Sequence, residues 1–195
     1  MTDYKEILAE ENIKVWMKWG SLFESTSPLI KAKYIFDGTI DPKTLLFLLR
    51  EERINWDKAY IEFKEAKKIS NEVSLMHYVM KPPMFLMKAR DFVEKTIRFE
   101  YNGIFYLYSS SVPNEVFAEI DQYQRCETIF GGSILTKEGD KYAYYSFSQI
   151  KVSVCVIVDW KCPKRLDYLL SLRYLQNLLF ESKERIREEG TERCN

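Results

Sequence analysis

The spacing of apolar residues changes along the chain, and each spacing predicts a different element of secondary structure. A first helix is predicted over residues 2–12, because Thr2 or Asp3 can accept hydrogen bonds from first-turn amides and Glu6 supplies a favourable early charge. Residues 13–19 and 30–36 alternate in the two-residue period of a strand. The pattern therefore predicts one helix and then two strands.

A second helix is predicted to begin at Asp41, which can cap it, with Pro42 in the first helical position. Four leucines within residues 45–49 form its apolar face, and the helix is expected to end near Trp56.

The segment from Tyr60 to Asp159 predicts successive strands with no helix between them. Its main strands are expected at residues 73–79, 93–101, 104–110, 125–135 and 141–158. The first of these is apolar on both faces, which is typical of a strand covered on both sides. Asn102-Gly103 predicts a two-residue hairpin turn, since both residues tolerate positive φ. A series of hairpins implies an antiparallel sheet.

A long final helix is predicted from about Pro163 to Glu189. Its apolar residues lie on two nearly opposite sides. One side carries Leu166, Leu170, Tyr174 and Leu178, and the other carries Leu172, Leu175 and Leu179. A bent antiparallel sheet is expected to cover one side, and a hydrophobic ligand or a membrane the other.

Composition narrows the class of protein. The length of 195 residues, without a linker or repeat, predicts one domain spanning residues 1–195. A formal net charge of +0 argues against a nucleic-acid partner. The aromatic fraction of 15% is more than an ordinary core needs. A polar N-terminus, no long apolar run and scattered cysteines predict a cytoplasmic protein with reduced thiols.

Signatures of enzymes, metal sites and cofactor sites are missing from the sequence. His77 is the one histidine, which excludes sites built from two or more histidines. The nucleophile elbow, the phosphate-binding P-loop and the dinucleotide fingerprint do not occur. Gly131-Gly132-Ser133 is either a strand kink or a weak phosphate cradle. We therefore predict no catalytic residue, no metal and no cofactor.

Large apolar side chains follow the Pro82-Pro83 pair, where a connection between strands is expected. They are Met84, Phe85, Leu86 and Met87, and Lys81 and Lys88 flank them. Two interpretations are open: a loop folded onto the core, or a mobile apolar gate that touches membrane or ligand.

Several short motifs follow one another along most of the chain. They are Ile30-Lys31-Ala32, Asp41-Pro42, Trp56-Asp57, Arg90-Asp91-Phe92-Val93, Arg125, Gly131-Gly132 and Pro163. In order and spacing they resemble the START family, lipid-transfer domains related to the steroidogenic acute regulatory protein. The resemblance implies an α+β helix-grip fold, in which a curved antiparallel β-sheet wraps around a long C-terminal α-helix with an internal hydrophobic tunnel.

The same resemblance assigns roles to two groups of residues. The gate would consist of the 81–90 loop and the last helix, with Met84, Phe85, Leu86, Met87, Leu166, Leu170 and Tyr174. The structural family motif would be Trp56, Asp57, Arg90, Asp91, Phe92 and Arg125. Arg90 and Asp91 are expected to form a strand-start ion pair or a backbone clamp near the gate.

Two departures from the family bear on the lipid. Members that bind sterols often carry an acidic residue and an arginine facing each other inside the tunnel. Those positions fall on or near His77 and on Thr96 here, so both charges are lost. The Gly-Gly-x-x-Pro turn before the last helix is also replaced, by residues 159–163. The loss of both charges weakens a sterol assignment without excluding one, and the replaced turn bears on the shape of the tunnel floor.

Strand parity supplies candidates for the tunnel wall. Phe92, Glu94, Thr96 and Arg98 share one face of a predicted strand, which we expect to face the tunnel near Thr96. Glu94 and Arg98 either contact a headgroup or are exposed near a strand end; His77 is either a hydrogen-bonded core residue or a headgroup donor. The full set of tunnel and headgroup candidates is His77, Tyr78, Glu94, Thr96, Arg98, Tyr106, Tyr108, Tyr144 and Phe147.

The sequence favours a cytoplasmic monomer that binds one lipid, contacts membrane surfaces transiently and transfers the lipid between membranes. Phospholipid or sphingolipid is favoured over sterol. The alternative is a helix-grip enzyme, cyclase-like or hydrolase-like, in which His77 would pair with Glu94 or Tyr78 inside the same tunnel. A third option is a module that senses a lipid and reports it to a partner protein.

Overall fold

A curved and almost entirely antiparallel sheet organises the chain. The computed structural model describes residues 4–19, 27–82 and 87–151. Its strands are β1 (Lys5–Glu10), β2 (Ile13–Lys18), β3 (Leu29–Asp37), β4 (Tyr60–Lys68), β5 (Val73–Met80), β6 (Arg90–Tyr101), β7 (Ile104–Ser111), β8 (Gln124–Arg125), β9 (Glu127–Glu138) and β10 (Lys141–Lys151). Its helices are α1 (Pro42–Arg50) and α2 (Arg53–Trp56). The strands pair in the order β1-β2-β3-β10-β9-β7-β6-β5-β4, and β8 pairs with β6 in parallel.

The predicted N-terminal helix is wrong, because that segment contains strand β1. Lys5 pairs with Met17 and Glu10 pairs with Ile13, so β1 and β2 form an antiparallel hairpin. A helix of this length is marginal in water, and an N-cap adds only about 1 kcal/mol. Backbone pairing with β2 and the packing of Leu8 on the core outweigh that local preference.

Helix α1 begins where the sequence predicts. The Asp41 side chain accepts a hydrogen bond from the Thr44 backbone N–H at 2.9 Å, and Pro42 lies in the first turn. Leu45 and Leu49 are the buried residues of its apolar face.

The helix is shorter than predicted, however, because a turn at residues 51–52 separates α1 from α2. The Trp56 indole of α2 donates to the Leu48 carbonyl at 2.6 Å and holds the two helices together. Among the residues that the structure describes, no helix has the length and apolar character needed to cross a membrane.

The hairpin turn predicted at Asn102-Gly103 is confirmed. Asn102 and Gly103 have φ values of 51° and 72°, and the turn joins β6 to β7. Gly139, with φ of 65°, lies in the turn between β9 and β10. The central residues of β5 are buried without interruption, which confirms that both faces of this strand are covered.

Several predicted elements lie outside the described residues. Residues 152–195 contain the predicted final helix and the end of the last predicted strand, so neither is tested by the coordinates. The same holds for the gate candidates Met84, Phe85, Leu86, Leu166, Leu170 and Tyr174.

Two clusters of buried side chains pack against the sheet. The first joins α1 and α2 to strands β2, β3 and β9 through residues such as Leu45, Trp56 and Leu135. The second centres on Tyr60, Tyr78 and Phe92. Members of both clusters line the cavity described below, which therefore has packed walls on two sides.

Candidate functional site

A cavity of about 390 Å³ lies against one face of the sheet, which we call the cavity face. Two rows of mostly small residues cross the strands beneath it. One row is Thr96, Ser109, Gly131 and Ser148, and the other is Leu107, Ser133, Ser146 and Ala32. Since facing β-carbons lie only about 5 Å apart in a sheet, larger side chains here would fill the space. The small residues keep the cavity open.

Apolar side chains form the walls of this cavity. Val15, Met17 and Ile30 contribute from one end of the sheet, Phe63, Met76 and Met80 from the other, and Leu49 from α1. The volume lies at the lower end of the range for small-molecule sites, about 300–1,000 Å³. A wall of this kind takes an apolar group out of water.

Glu94 supplies a carboxylate to the apolar wall. It is 7% exposed, and its Oε1 atom accepts hydrogen bonds from Tyr78 Oη and Thr128 Oγ1, both at 2.5 Å. Burial raises the pKa of the Tyr78 phenol well above its usual value, and the Glu94 charge adds to the increase. The phenol therefore stays protonated and donates. The burial of Glu94 rules out the alternative in which it is exposed near a strand end.

Two arginines, which the sequence analysis missed, line the cavity from the helices. The Arg53 guanidinium donates to Asp57 Oδ2 through Nε and Nη2, both at 3.2 Å, and lies 4.5 Å from the centre of the Tyr60 ring. Arg50 lines both this cavity and a second, groove-like pocket of about 310 Å³. The sequence held one indication that Arg50 lies near the core. It comes one helical turn after Leu46 on a leucine-rich helix, so the two side chains are neighbours on the helix surface.

The predicted tunnel residues divide into three groups. Tyr78, Glu94, Thr96, Tyr144 and Phe147 line the cavity. Arg98 and Tyr106 line the groove-like pocket instead.

His77 and Tyr108 line neither space. They belong to the opposite face of the sheet, which we call the outer face, because each neighbours a cavity-lining residue in its strand. The proposed dyads of His77 with Tyr78 or Glu94 do not form, since His77 points away from both.

His77 is buried on the outer face, where carboxylates approach it from two sides. Its Nδ1 atom lies 3.5 Å from Glu62 Oε1, and its Nε2 atom lies 3.6 Å from Asp91 Oδ2. The ring stacks on Phe117 with centroids 5.1 Å apart. His77 is thus a core residue that packs under the loop before β8.

The family-motif residues hold this region together. Asp91 is fully buried and accepts from Arg125 Nε at 3.0 Å and from Nη2 at 2.9 Å. The same guanidinium also donates to the carbonyl oxygens of Phe117 and Ala118. Asp91 therefore forms an ion pair with Arg125 at the start of β6, a partner that the sequence analysis did not name.

The remaining motif residues are packing residues as well. Phe92 stacks on Tyr78 with centroids 4.8 Å apart. Asp57 is fully buried and accepts from Arg53 and from the Ala59 backbone N–H at 3.1 Å. Within the described ranges no group of metal-ligating side chains occurs.

Comparisons with known proteins bear directly on this architecture. A START domain family model matches residues 23–159, more than half of the chain. No curated protein matches the sequence significantly.

Solved structures share the fold at low sequence identity. Human STARD10 superposes with a TM-score of 0.75 at 15% identity, covering 97% of this chain and 78% of that one. Human StAR-related lipid transfer protein 5 gives 0.73 at 16% identity, covering 93% and 86%. A STAR-related lipid transfer protein fragment from Xanthomonas axonopodis gives 0.68 at 14% identity, covering 90% and 98%. The fold and the family match agree, and the chain belongs to the START domain family.

Proposed function

We propose that this protein binds one lipid in the cavity and transfers it between membranes. START domains as a family generally bind or transfer lipids. The observation that carries the proposal is the cavity of about 390 Å³, with apolar walls and two rows of small residues beneath them. Burying apolar lipid surface there is favourable by roughly 25 cal/mol per Å², and no bond has to change. The protein therefore acts as a carrier and not as an enzyme.

The cavity favours a phospholipid or sphingolipid over a sterol. Its wall carries the Glu94 carboxylate and the Arg50 and Arg53 guanidinium groups, and a zwitterionic or charged headgroup offers partners to both signs of charge. A sterol hydroxyl needs only one neutral partner, so it would leave most of these groups unused.

Lipid exchange requires an opening, and we assign it to the 81–90 segment together with the C-terminal helix. Two hydrogen bonds fix the ends of the segment: Lys81 N–H donates to the Ala59 carbonyl, and Gln124 N–H donates to the Ala89 carbonyl, both at 2.8 Å. Lys88 Nζ also donates to the Asp121 carbonyl at 2.6 Å. These bonds tie both ends of the segment to neighbouring parts of the fold.

The proposed setting is the cytoplasm, with a monomer that contacts membranes only transiently. The balanced formal charge of +0 favours short contacts, because a strongly basic protein would stay on anionic membrane surfaces.

Neighbouring serines on β7 provide a matched test of the cavity. Ser109 lines the cavity and Ser110 points to the outer face, so Ser109→Leu fills the cavity and Ser110→Leu does not. We expect Ser109→Leu to abolish co-purified lipid, detected by mass spectrometry, and to reduce vesicle-to-vesicle transfer at least about ten-fold. A leucine that blocks the site of a bound acyl chain should cost at least about 1.4 kcal/mol of binding free energy, which corresponds to a ten-fold change in Kd.

Ser110→Leu should transfer lipid at close to the wild-type rate. Equal loss in both variants would point to damage to the sheet instead of a filled cavity. A wild-type protein that carries no lipid and transfers none above the vesicle-only rate would overturn the proposed function.

A further inference from the structure

Arg50 ends helix α1 at the boundary between two spaces. It lines the cavity and also the groove-like pocket, and Leu107 and Ser133 are the other described residues common to both. The groove-like pocket includes the exposed residue Phe99 and so leads to the protein surface. Arg50 therefore lies where the apolar cavity comes closest to water.

The Arg50 guanidinium has an unused donor. Its Nη1 atom is buried and makes no hydrogen bond in the described structure. Burial lowers the pKa of Arg50 from its usual value, and the positive charge of Arg98 lowers it further. A desolvated cation without an acceptor is costly, which makes the position favourable for an added anion.

Nearby carboxylates already have other partners. Glu51 accepts from Arg98 Nη1 at 2.8 Å, and Glu94 Oε1 accepts from Tyr78 and Thr128. The other arginine of the cavity wall, Arg53, donates to Asp57. Arg98 also has a buried nitrogen, Nε, that no acceptor of the described chain satisfies, but Arg98 lines only the groove-like pocket. Of the two arginines that line the cavity in the described chain, Arg50 is the one with such a nitrogen.

We propose that Arg50 binds the anionic headgroup oxygens of the carried lipid, a phosphate or carboxylate, while the acyl part lies in the cavity. This inference rests on the proposed function. A guanidinium binds such oxygens through a planar fork of N–H donors. The Ser133 hydroxyl borders the same two spaces and can donate to the same group. The headgroup then points toward water and the chains toward Met80 and Ile150.

A pair of single-chain lipids that differ in the phosphate tests this assignment. The probes are 1-oleoyl lysophosphatidate and 1-monooleoylglycerol, with inorganic phosphate as a third arm, and the readout is the Kd from calorimetric titration. We expect the wild type to bind lysophosphatidate about ten-fold or more tightly than monooleoylglycerol, as a charge-assisted hydrogen bond in a buried site allows.

Arg50→Gln should remove that preference, so that the Kd values for the two lipids become similar. Arg50→Lys keeps the charge without the fork and should retain part of the preference. Lys14→Gln removes an exposed positive charge elsewhere and should bind both lipids like the wild type.

Each contrary result has a distinct meaning. Equal wild-type affinity for both lipids, or an Arg50→Gln protein that keeps the preference, would overturn the role of Arg50 while lipid binding stands. Inorganic phosphate that binds as tightly as lysophosphatidate would show a free-anion site and overturn the headgroup assignment. Binding of neither lipid would overturn the proposed function, and this inference with it.

Discussion

Strand β6 buries one carboxylate on each face, and the two carboxylates have different kinds of partner. On the outer face, Asp91 is held by the Arg125 guanidinium, which also donates to two loop carbonyl oxygens. On the cavity face, three residues further on, Glu94 accepts from the hydroxyl groups of Tyr78 and Thr128 within the described chain. The carboxylate on the outer face is compensated by a cation of the chain, and the one on the cavity face is held by two neutral hydroxyl groups.

The different partners of the two carboxylates indicate different roles: the outer-face ion pair stabilises the fold, and the cavity-face carboxylate serves the binding site. A buried ion pair is costly to break, because removing one partner leaves the other charge without compensation. The outer-face pair joins β6 to β8 and to the loop before it, so its value is structural. The cavity-face carboxylate of Glu94 is held by neutral hydroxyl groups and lies beside an open space, which suits the binding of a ligand. Substitutions on the two faces should therefore have different effects.

The largest effect is expected from Arg125→Met. It leaves the fully buried Asp91 carboxylate without its cation, and we expect a loss of about 3–5 kcal/mol in the free energy of unfolding. Urea denaturation followed by circular dichroism measures it. Lys151→Met removes an exposed ion pair with Glu127 and should cost less than about 1 kcal/mol. Similar losses in both variants would contradict the structural role of the Asp91–Arg125 pair.

A matched pair of amide substitutions compares the two faces directly. Asp91→Asn leaves the Arg125 charge uncompensated and should cost about 3 kcal/mol of unfolding free energy. Glu94→Gln keeps an oxygen that can accept from Tyr78 and Thr128, and should cost about 1 kcal/mol or less. The same denaturation series measures both. If Glu94→Gln proves the more damaging, the contrast between the two faces is wrong.

The smallest expected effect is a pH dependence at Tyr78. Burial and Glu94 raise the pKa of the folded phenol well above its unfolded value near 10, so the folded protein keeps a proton that the unfolded chain loses. This contribution to stability is complete below about pH 10 and declines above it, by at most about 1.4 kcal/mol per pH unit.

Tyr78→Phe should remove that part of the decline when unfolding free energies are compared at pH 8 and pH 11. Tyr101→Phe, which removes an exposed hydroxyl in the β6–β7 hairpin, is the control. Identical pH profiles for Tyr78→Phe and the wild type would contradict the assignment.

Local signals predicted much of the fold. The Asp41 cap, the Asn102-Gly103 turn and the double-sided burial of β5 all depend on residues close in sequence, and all are confirmed. The helix predicted over residues 2–12 was wrong because the helical signals of this segment are weak. Pairing with β2 instead satisfies the backbone hydrogen bonds of residues 5–10. The site was predicted only in part: parity along β6 put Glu94 and Thr96 on the correct face, but assigned no face to His77 on β5.

By itself, the sequence determined the succession of strands after Tyr60, their hairpins and the family, because turn residues and alternating patterns act over a few positions. Only the tertiary structure decided where the cavity lies. Ala32, Ser109, Gly131 and Ser148 are far apart in the chain, and strand register brings them under one space. Arg50 belongs to that space for the same reason: the packing of α1 on the sheet, and not its own sequence, sets its surroundings.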